Sequence, residues 1–106
     1  MKYIFDIDGT LCTNTDGDYE RAEPLASRIR KVNDLYDSGH QITLLTARGM
    51  GRHQNNIYMA YSDFYNLTKQ QLDEWGVKYH KLFLGKPAGD FYIDDKGIKD
   101  VEFFGD

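Results

Sequence analysis

The 106 residues are enough for one domain with a modest core, and 41% hydrophobic with 28% charged residues fits a globular chain and excludes a disordered or fibrous one. Thirteen Lys and Arg against seventeen Asp and Glu leave a net charge of -4, which provides no general attraction to nucleic acid. The single cysteine, Cys12, excludes an internal disulfide and a multi-cysteine zinc site.

Tyr3-Ile4-Phe5 is a short apolar run with little polar alternation, expected to form a central strand covered on both faces. It leads at once into Asp6-Ile7-Asp8-Gly9-Thr10. Residues 11–23 are mostly small and polar, with Asn14 to Asp18 an expected exposed turn or flap. Pro24 suits the first turn of a helix. Leu25, Ile29, Val32, Leu35 and Tyr36 form an apolar stripe, and Gly39 ends it, so a helix is predicted over residues 24–37. Ile42 to Leu45 reads as the second central strand, ending in Thr46-Ala47-Arg48-Gly49. Met50 to Ser62, with two glycines, tandem asparagines and crowded aromatics, reads as a loop or a short irregular helix. Phe64, Leu67, Leu72 and Trp75 then give a helical face closed by Gly76. Lys81 to Leu84 is a third strand, and Gly85-Lys86-Pro87 breaks it. Phe91-Tyr92-Ile93 reads as a fourth, running into Asp94-Asp95. Residues 98–104 fit either a short helix or an edge strand.

Two helical crossovers between apolar strands imply parallel pairing and an α/β fold: a three-layer α/β/α sandwich on a mainly parallel sheet of four or five strands. No repeat, low-complexity segment or linker divides the chain, so residues 1–106 are expected to form a single domain. No run of eighteen apolar residues occurs, and no basic region followed by an apolar secretory segment precedes Tyr3, so the expectation is a cytoplasmic chain with no membrane partner.

In an open parallel sheet, ligands bind outside the carboxyl ends of the strands. Applied here, that rule selects Asp6 and Asp8, Thr46, Lys86, and Asp94 with Asp95, polar groups from four segments on one rim. In extended backbone Asp6 and Asp8 face one side with Ile7 turned away. Carboxylates gathered this closely call for a counter-charge. A hard divalent cation with oxygen ligands meets that need, and Mg2+ is the expected cofactor. Lys86 then faces an anionic ligand. A carboxylate beside a metal, an amine and a hydroxyl is equipped to attack phosphorus and form an acyl phosphate.

These residues resemble the haloacid dehalogenase superfamily, in particular its phosphatase branch. Asp6-Ile7-Asp8-Gly9-Thr10 matches its first motif, Thr46 the second, Lys86 the third, and Asp94-Asp95 the fourth. The resemblance covers essentially the whole chain. It implies that Asp6 is the nucleophile and Asp8 the general acid and base, with Thr46 and Lys86 also catalytic. It implies Mg2+ held by Asp6, the Asp8 carbonyl and Asp94, with Asp95 nearby or bound through water. Ile7, Asp8, Ala47 and Arg48 are its substrate-binding positions. Members acting as dehalogenases lack the second acid, so Asp8 points to a phosphatase. Fifteen residues separate Asp8 from Pro24, and one helix and one strand consume most of the interval from Thr46 to Lys86, so neither can hold a folded cap.

Among capless members, Thr46-Ala47-Arg48-Gly49, the segment from Leu67 to Val77 and Tyr92-Ile93-Asp94-Asp95-Lys96 resemble small phosphatases of bacterial capsule and surface-polysaccharide biosynthesis. The expected substrate is therefore a small phosphorylated metabolite, a sugar or polyol. The helix near Phe64-Tyr65 also resembles the phosphatase domain of phage-type polynucleotide kinases, but the acidic balance weighs against a polynucleotide 3'-phosphatase or nucleotidase. A non-catalytic Mg2+-binding domain would have lost part of the constellation. A phospho-accepting signalling domain would carry its acceptor Asp after a later strand.

Beyond the motifs, Arg48 and Arg52 are placed to clamp a phosphate or carboxylate, or to close a loop by salt bridges. Of His40, His53 and His80 only His53 is close in sequence to the rim. Cys12 has no neighbouring base. Tyr58, Tyr61, Phe64 and Tyr65 fit a leaving-group pocket, ordinary core, or a contact with a second copy in a homo-oligomer.

Overall fold

The computed structural model describes residues 1–106. Three parallel strands, β1 (Lys2–Phe5), β2 (Gln41–Thr46) and β3 (Lys81–Leu84), lie in the order β1-β2-β3. Tyr3 pairs with Ile42, Phe5 with Leu44, and Leu44 with Leu82, which puts these five side chains on one face. That face carries the core, where Phe5, Ile42 and Leu44 meet Ile29 and Val32 of α1 (Ala26–Asp37), Leu72 of α2 (Ile57–Glu74) and Phe104 of α3 (Asp100–Phe104). The opposite face carries Ile4, 68% exposed, and Phe83, 47% exposed. The α/β class, the parallel sheet and the helical crossovers are those expected.

Helix α1 follows its apolar stripe and ends as Gly39 allows. At φ 93° Gly39 donates its N–H to Tyr36, and His40 donates to Leu35, closing the last turn. Gly76, at φ 71°, ends α2 in the same way, its N–H bonding Asp73 and that of Val77 bonding Leu72. The stretch expected to be irregular up to Ser62 is helical from Ile57. The side chain of Asn56 accepts the Met59 N–H and caps the helix. Residues 100–104 are helix and not strand.

Two expectations fail. Phe91-Tyr92-Ile93 forms no strand, so the sheet has three strands, and β1, expected to be central, is an edge. Phe91 and Ile93 are 86% and 95% exposed. Their backbone lies in an extended loop tied down at both ends. The Ala88 N–H bonds the Asn55 side chain at 3.0 Å, and Asp100 meets Arg28 at 2.7 Å.

Arg28 anchors the far end. Its side chain is 9% exposed and reaches both carboxylate oxygens of Asp106 at 2.8 and 2.9 Å, the Thr10 carbonyl at 3.2 Å and the face of Phe104. One buried guanidinium therefore joins α1, the turn after β1 and α3.

Candidate active site

At the carboxyl end of β1 the chain turns sharply. The Ile7 carbonyl accepts the N–H groups of Thr10, Leu11 and Cys12, and Gly9 takes φ 81°, a conformation that favours glycine. This turn buries Ile7 completely and leaves Asp6 and Asp8 at the mouth of a cleft of about 220 Å³. Thr46, Ala47 and Arg48 enter it from the end of β2, and Lys86 from just beyond β3. The Lys86 N–H bonds the Thr46 carbonyl at 3.2 Å, which fixes the third segment against the second.

The Lys86 ammonium stands 3.5 Å from Asp6 Oδ1 and 4.3 Å from the centre of the Tyr92 ring. Asp6 Oδ2 accepts the Thr10 hydroxyl at 3.2 Å. Burial pushes the Asp6 carboxyl above its ordinary value of 3.8, and the nearby Lys86 ammonium only partly offsets this. Asp6 is thus a partly desolvated carboxylate facing a cation, beside a buried threonine hydroxyl on the neighbouring strand. The Thr46 hydroxyl accepts the Arg48 N–H at 3.1 Å, which leaves its own proton free to donate.

Asp8 is held differently from what its sequence spacing suggests. Both of its oxygens face Arg48, Oδ2 at 2.9 Å from Nε and Oδ1 at 3.0 Å from Nη2. The remaining N–H groups of Arg48 reach Thr68 Oγ1 at 3.1 Å, Gln71 Oε1 at 2.6 Å and the Cys12 sulfur at 3.9 Å. The Tyr19 ring covers the guanidinium at 4.8 Å. Arg48 therefore has no donor left for a ligand. The expectation that it clamps substrate is corrected: it is a buried strut that orients Asp8.

The flap is held down as well. The Tyr19 hydroxyl accepts the Gly49 N–H at 3.0 Å, its carbonyl accepts Gln71 Nε2 at 2.7 Å, and Arg52 donates to the Gly17 carbonyl at 2.9 Å. One N–H of Arg52 thus fastens the loop. Gly49 itself is required, because a Cβ there would lie 2.7 Å from the Phe64 ring. A second groove of about 450 Å³ adjoins the cleft, sharing Gly17 and Tyr19, and is bordered by Asp16, Asp18, Glu20, Arg52, Phe64 and Leu67.

The other candidates lie elsewhere. His53 pairs with Asp63 at 2.7 Å, His40 with the N-terminal amine at 2.9 Å, and His80 accepts the Ile42 N–H at 3.0 Å. Burial, then the Asp8 charge, pushes the Cys12 thiol up to about 12, which keeps it protonated and un-nucleophilic. Phe64 is buried and borders the second groove, Tyr61 accepts the Leu84 N–H, and Tyr58 is exposed. Tyr19, Thr68, Gln71 and Tyr92 were missed by the sequence reading. Their roles rest on contacts across 20 to 52 residues, with no local signal, except that Tyr92 stands six residues after Lys86.

The residues expected to hold a metal are not gathered. Asp94 and Asp95 lie in the exposed segment, where Asp94 Oδ1 accepts the N–H groups of Lys96 and Gly97. No three acidic, histidine or cysteine side chains converge. Asp8 is committed to Arg48, although its carbonyl accepts no bond from the chain. Within one copy, Asp6 and that carbonyl are the motif oxygens at the cleft that could hold Mg2+, whose other positions would fall to waters and a substrate phosphate.

No protein-family model and no curated protein matches the chain. Solved structures do. A D,D-heptose 1,7-bisphosphate phosphatase from B. bronchiseptica, crystallised with magnesium and phosphate, superposes with a TM-score of 0.55 at 16% identity, over 84% of this chain and 51% of its own. That likeness establishes a haloacid dehalogenase-like fold. A crystallised target protein from Vibrio cholerae is similar at a TM-score of 0.89 and 30% identity. With 97% of this chain and 86% of the Vibrio cholerae chain covered, the protein belongs to the same family as that target.

Proposed function

We propose that the protein is a phosphomonoester hydrolase in which Asp6 is the nucleophile. The observation that carries this reading is the meeting of three segments at the carboxyl end of the sheet: Asp6 after β1, Thr46 at the end of β2, and Lys86 after β3, with Lys86 Nζ 3.5 Å from Asp6 Oδ1. The shared fold with a phosphatase that binds magnesium and phosphate supports it.

An Asp6 oxygen attacks phosphorus as the bond to the leaving alkoxide breaks, giving an aspartyl phosphate. Lys86 and the Thr46 hydroxyl stabilise the charge on the transferring oxygens. Asp8 delivers a proton to the alkoxide, for which it must carry that proton and release one Arg48 contact. Asp8 then takes a proton from the water that attacks phosphorus, inorganic phosphate leaves, and the Asp6 carboxylate is restored.

A sugar or polyol phosphate fits the adjoining groove better than an oligonucleotide. Asp16, Asp18 and Glu20 border it against a single cation, Arg52. Carboxylates suit hydroxyl donors and repel a polyphosphate backbone. Surface-polysaccharide biosynthesis is the setting this substrate class suggests. The test is a screen of sugar phosphates, polyol phosphates, nucleotides and 3'-phosphorylated oligonucleotides with Mg2+ present. Sugar or polyol phosphates should be hydrolysed fastest; faster release from oligonucleotides would reverse the substrate assignment.

A further inference from the structure

We propose that two copies of the chain exchange the arm Phe91–Asp95, each arm adding a fourth strand to the free edge of the other copy's β1 and bringing Asp94 and Asp95 to the other copy's Asp6. The proposal rests on the phosphatase reading only for the role of the delivered carboxylates.

Several observations meet in it. The arm has the composition of a strand and none of the pairing, with Phe91 and Ile93 86% and 95% exposed. On exchange Tyr92 would give up the bond of its hydroxyl to the Pro87 carbonyl and the contact of its ring with Lys86. β1 pairs only with β2. The bond from the Gln41 N–H to the Met1 carbonyl turns alternate backbone groups of β1 inward, which directs those of Lys2 and Ile4 to the open edge. An unpaired, partly apolar edge is a template for another strand. Ile4, on that strand, is 68% exposed.

The arm cannot reach this edge in its own copy. A parallel crossover takes about a dozen residues or more, and only Gly85 to Asp90 separate Leu84 from Phe91. The tether from the Ala88 N–H to Asn55 and the bond from the Lys86 N–H to Thr46 hold this loop at the carboxyl end of the sheet. Gly89 and Asp90 alone would have to descend the length of β1, roughly 13 Å at about 3.3 Å per residue. A second copy has no such constraint.

Charge and area favour the same partner. The register that sets Asp94 level with Asp6 puts Asp90 beside Lys2, an opposite-charge pair, and Tyr92 beside Ile4. Two reciprocal arms, each bringing a Phe worth about 150–250 Å² with its Tyr and Ile, and the edges that receive them, come to about the 1,200 Å² of a stable interface. The exchange would also gather the motif carboxylates that one copy leaves apart, each site drawing Asp6 and the Asp8 carbonyl from one copy and Asp94 and Asp95 from the other.

Sedimentation of the full chain tests the exchange without reference to activity. A dimer is expected, and a variant with about twelve Gly and Ser residues inserted after Gly89, beyond the Ala88 tether, should close on itself as a monomer. A monomeric wild type, or a lengthened variant that remains dimeric, would overturn the proposal. Phosphate release then tests the composite site. Asp6→Asn and the double variant Asp94→Asn/Asp95→Asn should each be inactive. Co-refolded in equal amounts, they should regain about one quarter of the wild-type rate, as one intact site forms in every mixed symmetric dimer. Dimers that regain nothing would overturn the exchange. If wild type hydrolyses no phosphomonoester, the phosphatase reading fails, and the two sedimentation results still decide the exchange.

Discussion

All five N–H groups of Arg48 are engaged beneath the cleft, so its contribution is structural and large. Its side chain is fully buried, and removing it strands Asp8, Thr68 and Gln71 without their partner. Arg48→Met should therefore cost about 3–5 kcal/mol, the range for breaking a buried charge pair, read from urea denaturation. A loss below about 1 kcal/mol would mean that Asp8 is held by other means. Asp8→Asn belongs to the same scale but acts on rate. It should slow phosphate release about 100- to 10,000-fold, and least for a good leaving group such as p-nitrophenolate, which needs no proton. Equal slowing for an alkyl and a p-nitrophenyl ester would argue against proton transfer by Asp8. The carboxylates, Thr46 and Lys86 were legible in the sequence because strand ends mark the rim of a parallel sheet. The clamp on Asp8 was not, because Arg48, Thr68 and Gln71 meet only when α2 packs against the loop after β2.

Among the elements, α3 is held by chemistry more than by length. Its five residues dock through Phe104 and through the pairing of Arg28 with Asp100 and Asp106. Hydrogen bonds from Arg28 hold both carboxyls below their ordinary value of 3.8. A depressed folded-state value means that this stabilisation is complete above pH 3.8 and is lost as pH falls through the depressed values. Melting temperatures of wild type and the Asp100→Asn/Asp106→Asn variant should therefore converge as pH is lowered from 6 to about 2. A gap that stays constant with pH would contradict the assignment. The same elements show how far pattern reading reaches. β3 and the stripe of α1 were read almost to the residue, because apolar period and a glycine stop coincide there. The first turn and a half of α2 was missed because its start depends on Asn56 as a cap, hidden among loop-forming residues. The 91–93 segment has the sequence of a strand, but within one copy no edge lies within its reach.

For the whole molecule, fold and site place Asp6 opposite Lys86 at the carboxyl end of a three-stranded parallel sheet, with an acidic groove alongside. No helix is long and apolar enough to cross a membrane. The exchanged arms would make catalysis a property of the pair of copies, so specific activity should fall on dilution below the dimer's dissociation constant. Activity per chain that is constant through that range would separate catalysis from assembly. The central claim, that Asp6 carries the phosphoryl group, is tested most directly by single-turnover reaction with labelled phosphomonoester, acid quench and mass spectrometry of the protein. The account predicts label on Asp6 in wild type, more of it in Asp8→Asn, and none in Asp6→Asn. Rapid phosphate release with no label on Asp6 in either wild type or Asp8→Asn would contradict it.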